Sequence, residues 1–243
     1  MEPEMSPLPP GENFCFTCTP DVPCFNECCR DLNQFLTPYD ILRLKNSLGI
    51  SSGEFLQRYT VSHIGPETGL PVISLKPDRT DNLKCPFVRP AGCAVYTDRP
   101  SSCRMYPVAR AISRSRETGV TTQHFALIKE PHCKGFGNTD KKTAEKWLLE
   151  QGLKEYNEMN DRLMTLISLK NRLLPGPLEP RLVRQFCLAL YDLDTFRQAL
   201  FEQNLLEGLN VDEKILEKCR ADDVELLKLG LKWIRFRLFG PAQ

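Results

Sequence analysis

The sequence predicts an α+β protein: a cysteine-rich metal-binding domain of short strands and helices, followed by an all-helical C-terminal domain. Three observations carry this. Nine of the 11 cysteines fall between Cys15 and Cys133, so thiol chemistry is concentrated in one half of the chain. Short runs of strand-forming residues alternate with turn residues through that half. From Asp140 onward, apolar residues recur every three or four positions, the period of amphipathic helices.

The elements follow in order. Residues 1–13 contain four prolines and little to bury, and are expected to be a flexible lead. Thr37 is placed to cap a helix with Pro38 at its first position, and Ile41, Leu44 and Leu48 recur at helical spacing before Gly49 ends it. Ser51 or Ser52 caps a second short helix carrying Phe55, Leu56 and Tyr59. Both helices are expected to cover the cysteine site. Strands are expected over 69–76, 83–88 and 94–96, and a short helix over 99–105 closed by Pro107. Residues 108–116 and 120–129 read as a hairpin around Glu117-Thr118-Gly119. Three helical stripes follow: Leu149 to Leu166, Leu182 to Leu200 and Val224 to Leu238. Pro175-Gly176-Pro177 and the stretch 208–212 separate them. The cysteine domain is drawn over 14–138 and the helical domain over 139–243.

Composition limits the function. With 243 residues, 41% of them hydrophobic, the chain can bury a core without a disulfide scaffold. Its 32 basic and 31 acidic residues give a net charge of +1, so nucleic acid is not an expected partner. No run of 18 apolar residues occurs, and no membrane-spanning helix is expected. The start Met1-Glu2-Pro3-Glu4-Met5 lacks the basic opening and apolar run of a secretory signal, so a reducing cytoplasm is expected. Clustered thiols in such a compartment point to metal before disulfides, with a redox switch as the alternative.

The cysteines run Cys15-x2-Cys18-x5-Cys24-x3-Cys28-Cys29, then Cys85-x7-Cys93-x9-Cys103, then Cys133. Cys15-x2-Cys18 alone suits a zinc knuckle, but no second pair at that spacing follows. The run does not match the bacterial ferredoxin spacing either. Adjacent Cys28 and Cys29 strain against binding one small ion together. Spacing alone therefore gives a polythiolate site whose metal is open.

Longer motifs narrow the reading. The opening Cys18-Thr-Pro-Asp-Val-Pro-Cys24-Phe-Asn-Glu-Cys28-Cys29-Arg30-Asp31 is followed by Cys85-Pro86-Phe87, by Cys93-Ala94-Val95-Tyr96, and by Arg99-Pro100-Ser101-Ser102-Cys103-Arg104-Met105-Tyr106-Pro107. Cys133-Lys134-Gly135 closes the set. This order resembles the YkgJ-type cysteine-cluster family, described as zinc- or iron-chelating, over residues 14–137. The resemblance implies eight metal-binding cysteines: Cys18, Cys24, Cys28, Cys29, Cys85, Cys93, Cys103 and Cys133. Cys15 is an extra thiol. The family's compact Cys-x-x-Cys-Cys is here opened to three residues between Cys24 and Cys28. The family also includes flagellin lysine N-methylases, which implies one possible activity.

Three functions follow from these readings. The first is a protein that holds zinc or an iron–sulfur cluster; eight thiolates suit two zinc ions or one cluster with thiols to spare. The second is a protein lysine N-methyltransferase, against which the absence of a glycine-rich cofactor turn counts. The third is a metal-dependent interaction module whose C-terminal helices hold a protein partner. Arg99, Arg104, Asp31 and Asp40 are read as pairing with one another to hold loops, ahead of Arg30 and Arg104 donating to thiolate sulfurs, and Tyr39, Tyr96 and Tyr106 as core aromatics with polar tips. His132 is the one histidine placed to replace a thiol. Arg110, Arg114 and Arg116 on the hairpin, and Lys228, Lys232 and Arg235 on the last helix, read as solvated faces.

Overall fold

A computed structural model describes residues 3–31, 33–115, 117–137, 139–203 and 205–241. In chain order the strands are β1 (Glu4–Leu8), β2 (Phe14–Cys15), β3 (Phe35–Leu36), β4 (Thr60–Ile64), β5 (Pro71–Leu75), β6 (Val88–Arg89), β7 (Gly92–Cys93), β8 (Val108–Arg114), β9 (Thr121–Lys129) and β10 (Lys141–Lys142). The helices are α1 (Pro38–Leu48), α2 (Ser52–Tyr59), α3 (Ser101–Met105), α4 (Ala144–Glu150), α5 (Lys154–Leu173), α6 (Pro180–Leu190), α7 (Leu193–Glu202), α8 (Glu213–Cys219) and α9 (Asp223–Phe239). The chain is α+β, as the sequence predicts. It divides into two compact units that interleave along the sequence, whereas the sequence reading draws one boundary near residue 138.

The first unit holds the described residues of 1–32, 77–96 and 101–155. Its sheet runs β1-β9-β8, antiparallel throughout. Residues 4–8, expected to be part of a flexible lead, instead form β1, with Met5 opposite Ile128 and Leu8 opposite Phe125. The reason is Leu8, which is buried with Val108 and Leu127 in a core shared with Phe14, Phe16, Ala144 and Trp147. Phe16 is the hub, meeting Trp147, Phe136 and Tyr106 edge-on at centroid distances of 5.7, 5.2 and 5.6 Å. Edge-on contact sets a positive ring edge on a negative ring face. The Trp147 Nε1–H donates to the Met105 carbonyl at 2.9 Å, which ties α4 to the end of α3.

Two expected strands are mostly turns. Asn82 and Leu83 have φ of 50° and 53°, in the left-handed region, so the strand expected over 83–88 shrinks to β6. The strand expected over 94–96 moves back to β7, and Tyr96 is 59% exposed instead of core. The hairpin forms as β8 and β9. Arg110 there donates to Gln123 at 2.8 Å, and Arg116 lies outside the described residues.

The second unit holds the described residues of 33–76, 97–100 and 156–243. Thr37 caps α1: its hydroxyl accepts from the Asp40 N–H, and Asp40 accepts from the Thr37 N–H at 2.8 Å. Gly49 ends the helix at φ 66°. α1 packs on α9, and α2 packs on α7. Leu44 of α1 and Phe55 of α2 are fully buried. The small sheet β3-β5-β4 buries Leu36, Ile73 and Leu75.

Charged groups hold this unit as well. Lys45 is buried and its Nζ lies 3.1 Å from Asp194 and 3.0 Å from Asp223. Asp223 also takes Arg197, and Asp194 accepts the Ser52 N–H at 2.7 Å. Lys170 is fully buried and donates to the carbonyls of Thr68 and Gly176. α9 lies so close to α6 that a Cβ at Gly230 would land on the Ala189 carbonyl oxygen. On the face of α9 read as basic, Lys228 pairs with Glu225 at 2.7 Å and Lys232 donates to the Asn210 carbonyl at 3.0 Å. No helix among the described residues is long and apolar enough to cross a membrane.

Candidate metal centre

All eight expected ligands, and Cys15, lie in the first unit; Cys187 and Cys219 lie in the second. Three separate stretches therefore bring the thiols together. Cys28 and Cys29 sit on a 3-10 turn, Glu27–Cys29, entered through Asn26 at φ 69°. Asparagine tolerates that left-handed conformation better than most residues. The chain leaves extended at Arg30, and the Cys85 N–H donates to the Cys29 carbonyl at 2.8 Å. Arg30 bridges to Lys84 along the backbone, and its guanidinium lies 3.6 Å from Asp81.

Cys85 and Cys93 flank a tight hairpin. Cys93 stands opposite Val88, whose N–H donates to the Cys85 carbonyl at 3.2 Å. Asn26 fastens this hairpin by donating to the Arg89 carbonyl at 3.1 Å. Gly92 turns it at φ 121° with the Phe25 ring against it. Cys103 comes from α3, and Arg104 beside it donates to the Gln151 carbonyl at 2.7 Å.

The remaining thiols come from the loop after β9. The Cys133 N–H donates to the Glu130 carbonyl at 2.9 Å, and the Lys134 N–H donates to the Cys24 sulfur at 3.0 Å. Thr17, next to Cys18, donates to the Gly135 carbonyl at 2.9 Å. Gly135 lies against Phe16 and the Thr17 carbonyl with no room for a Cβ. His132 pairs with Glu130 at 3.4 Å.

The electrostatics centre on Cys29. Its thiol donates to the Cys28 sulfur, which pushes its pKa far up; burial and the neighbouring Cys28, Cys85 and Cys103 thiols act in the same direction. The same hydrogen bond holds Cys28 below its usual value against burial and the Glu130 charge. Burial pushes Cys85 up, and the nearby Cys93 thiol adds to it. Cys29 is thus within electrostatic reach of Cys28, Cys85 and Cys103, and Cys85 of Cys93. Cys24 is joined to the 133–134 segment, and Cys18 is exposed. Among the described residues, no three cysteine, histidine or carboxylate side chains stand in a metal-holding arrangement.

Whether this set suits a soft metal is a question of donor chemistry. Ionising Cys29 beside Cys28, Cys85 and Cys103 sets negative charges against one another. A bound cation removes that penalty, because a coordinated thiol loses its proton to the metal. Tyr106 adds a second sign. Its hydroxyl is buried and faces the Cys133 thiol and the Glu130 backbone. Burial, then Cys133, push its pKa up. A thiolate there is a stronger acceptor for that hydroxyl than a neutral thiol. In their chemistry, thiols are the soft donors that zinc and iron take.

Sequence reasoning missed Glu130, whose charge faces both Cys28 and Tyr106. Its only signal is its place three residues before Cys133. In the second unit, burial pushes Cys219 up to about 11 and raises Cys187.

Residues 17–134 match the model of the CxxCxxCC family, described as a "Putative zinc- or iron-chelating domain". No curated protein and no solved structure matches the chain significantly. The match opens after Cys15 and closes just past Cys133, so it takes in all eight cysteines of the interleaved first unit's expected set. The cysteine-bearing segment of this chain is therefore similar to the CxxCxxCC domain, the family its motifs resemble.

Proposed function

We propose that the protein holds zinc or an iron–sulfur cluster through Cys18, Cys24, Cys28, Cys29, Cys85, Cys93, Cys103 and Cys133. The observation that carries this is the crowding of Cys28, Cys85 and Cys103 around the Cys29 thiol. Uncompensated thiols at that density oppose one another's ionisation, and a soft cation turns that opposition into a shared site.

The chain's own residues supply the frame. The Cys85–Cys29 backbone bond sets two ligand segments side by side. Asn26 holds the Cys85–Cys93 hairpin against the turn that carries Cys28 and Cys29. The Lys134 N–H donates to the Cys24 sulfur and ties that thiol to the loop carrying Cys133. Phe16, Tyr106, Phe136 and Trp147 form an apolar floor under Cys133 and limit water there. When bound, the metal would supply cross-linking of these segments and, if iron–sulfur, electron transfer.

Anaerobic purification with elemental analysis and an optical spectrum on one sample tests this. Zinc at about two per chain, the number eight thiolates fill at four each, supports the zinc form. Iron with sulfide and a broad band near ~400 nm supports the cluster form. A chain free of both metals, which also takes up neither on reconstitution, overturns the reading.

A further inference from the structure

Strand β8 stands at the end of the order β1-β9-β8, and its residues 111–113 are exposed. The two ends of the hairpin show which way its main chain faces. The Ile128 N–H donates to the Pro107 carbonyl at 2.8 Å, and the Ser115 N–H donates to the Val120 carbonyl at 2.9 Å. Opposed residues of an antiparallel ladder alternate between hydrogen-bonded and non-hydrogen-bonded pairs. With Ala111 opposite His124 and Ser113 opposite Thr122, the odd-numbered residues of β8 therefore direct N–H and C=O toward β9. The even-numbered residues, Arg110, Ile112 and Arg114, turn theirs toward the outer edge. Even positions also share one side-chain face. Ile112 is 37% exposed there, and Arg110 is held along the sheet by its bond to Gln123 at 2.8 Å.

The edge thus carries arginine, isoleucine and arginine at alternate positions. A second copy of β8, paired antiparallel about Ile112, would set Arg110 against Arg114 twice. Like charges directly opposite one another destabilise a strand pair, and charge is a common guard of open edges. This guard turns away basic strands only. A strand with acidic, apolar and acidic residues at alternate positions makes an opposite-charge pair at each arginine and an apolar pair at Ile112.

We propose that the outer edge of β8 is a docking site for an acidic, extended segment of another protein, of the pattern Glu-x-Val-x-Glu, which adds antiparallel to the sheet as a further strand. Main-chain bonds at Ile112 supply attachment, and the two arginines select the charge of the incoming strand. The site stands independently of the metal-binding reading.

The test titrates the isotope-labelled full chain, followed by NMR, with the synthetic peptide Thr-Glu-Thr-Val-Thr-Glu-Thr. A second titration uses the same peptide with lysine in place of both glutamates. The glutamate peptide is expected to shift the amide signals of β8 and to slow hydrogen exchange at the Ile112 amide, with binding that weakens as salt rises. The lysine peptide should leave those signals in place. The double variant Arg110→Glu, Arg114→Glu should weaken the glutamate peptide by about tenfold or more, because two attractive cross-strand pairs become repulsive, and should admit the lysine peptide. Ile112→Pro removes an N–H that faces the edge and leaves the β9 ladder intact, so it should abolish binding of the glutamate peptide. If Ile112→Pro melts below wild type, the charge-reversed variant decides alone. No shift at millimolar glutamate peptide, shifts that lie away from β8, equal binding of both peptides, or a charge reversal without effect each overturns the proposal. So does a single-stranded DNA oligonucleotide that binds the same amides more tightly than the glutamate peptide, because the arginines then form a phosphate-binding surface.

Discussion

The Cys85 N–H donates to the Cys29 carbonyl at 2.8 Å, so two cysteines far apart in sequence are joined through backbone before any metal arrives. Side-chain substitution leaves that junction in place. Cys29→Ser and Cys85→Ser should therefore fold and yet lose most of their bound metal. Cys15→Ser, Cys187→Ser and Cys219→Ser should keep theirs. Metal-to-protein ratios by elemental analysis check this, and equal loss across both groups would show that the ligand assignment is wrong.

Lys45 should prove the most sensitive charge in the helical unit. Lys45→Met leaves Asp194 and Asp223 short of a cation, and breaking a buried pair costs roughly 3 kcal/mol. Against the cost of their own burial, Ser52 and Lys45 hold Asp194, and Arg197, Asn46 and Lys45 hold Asp223, below the usual carboxylate range. Depressed carboxylates add stability above the unfolded value of about 3.9, and that stability is lost as pH falls through the lowered folded values. Urea unfolding of wild type should show little slope from these two groups above about pH 5 and a decline below about pH 4. In Lys45→Met the folded values rise toward the unfolded one, so the decline should be smaller.

Lys170 predicts a slope of the same sign, placed at alkaline pH. Burial pushes its pKa down, so the folded state resists its protonation. A depressed lysine costs stability at neutral pH, and the cost disappears as pH rises toward the unfolded value of about 10.4. The stability difference between wild type and Lys170→Met should move in favour of wild type as pH rises. Parallel pH–stability curves for the two proteins would contradict this.

Gly230→Ala should destabilise the helical unit by about 1–3 kcal/mol through overpacking, despite alanine's better helix propensity. The added methyl meets the Ala189 carbonyl, which is backbone of α6 and cannot rotate away. Thermal unfolding followed by tryptophan fluorescence, with Gly137→Ala as a control whose Cβ meets nothing, measures the difference.

Much of this was legible locally. Thr37, Pro38, Asp40 and Gly49 fix both ends of α1 because each acts on its own backbone or its near neighbours. The cysteine motifs marked the chelating domain for the same reason: spacing is written directly in the chain. What depends on a distant partner was not legible. β1 reads as a proline-rich tail until Phe125–Lys129 is present to pair with it. Leu83 reads as a strand residue, and only the Asp31 N–H bond to its carbonyl shows why it turns left-handed. Lys45 falls on the apolar stripe of α1 with Ile41 and Leu48, and nothing local shows its partners, because Asp194 and Asp223 come from α7 and α9. Glu130 carries no signal beyond its nearness to Cys133.

The interleaving of the two units sets an order on synthesis. Residues 33–76 leave the ribosome between the two halves of the cysteine unit, yet the helices that bury α1 and α2 are made near the end of the described chain. Every segment that supplies a thiol to the cluster is translated before α7 and α9 exist. The cysteine unit can be complete while α1 and α2 still expose Leu44 and Phe55 to solvent. A nascent chain paused before α7 would then be competent to take metal and, at the same time, a client for chaperones.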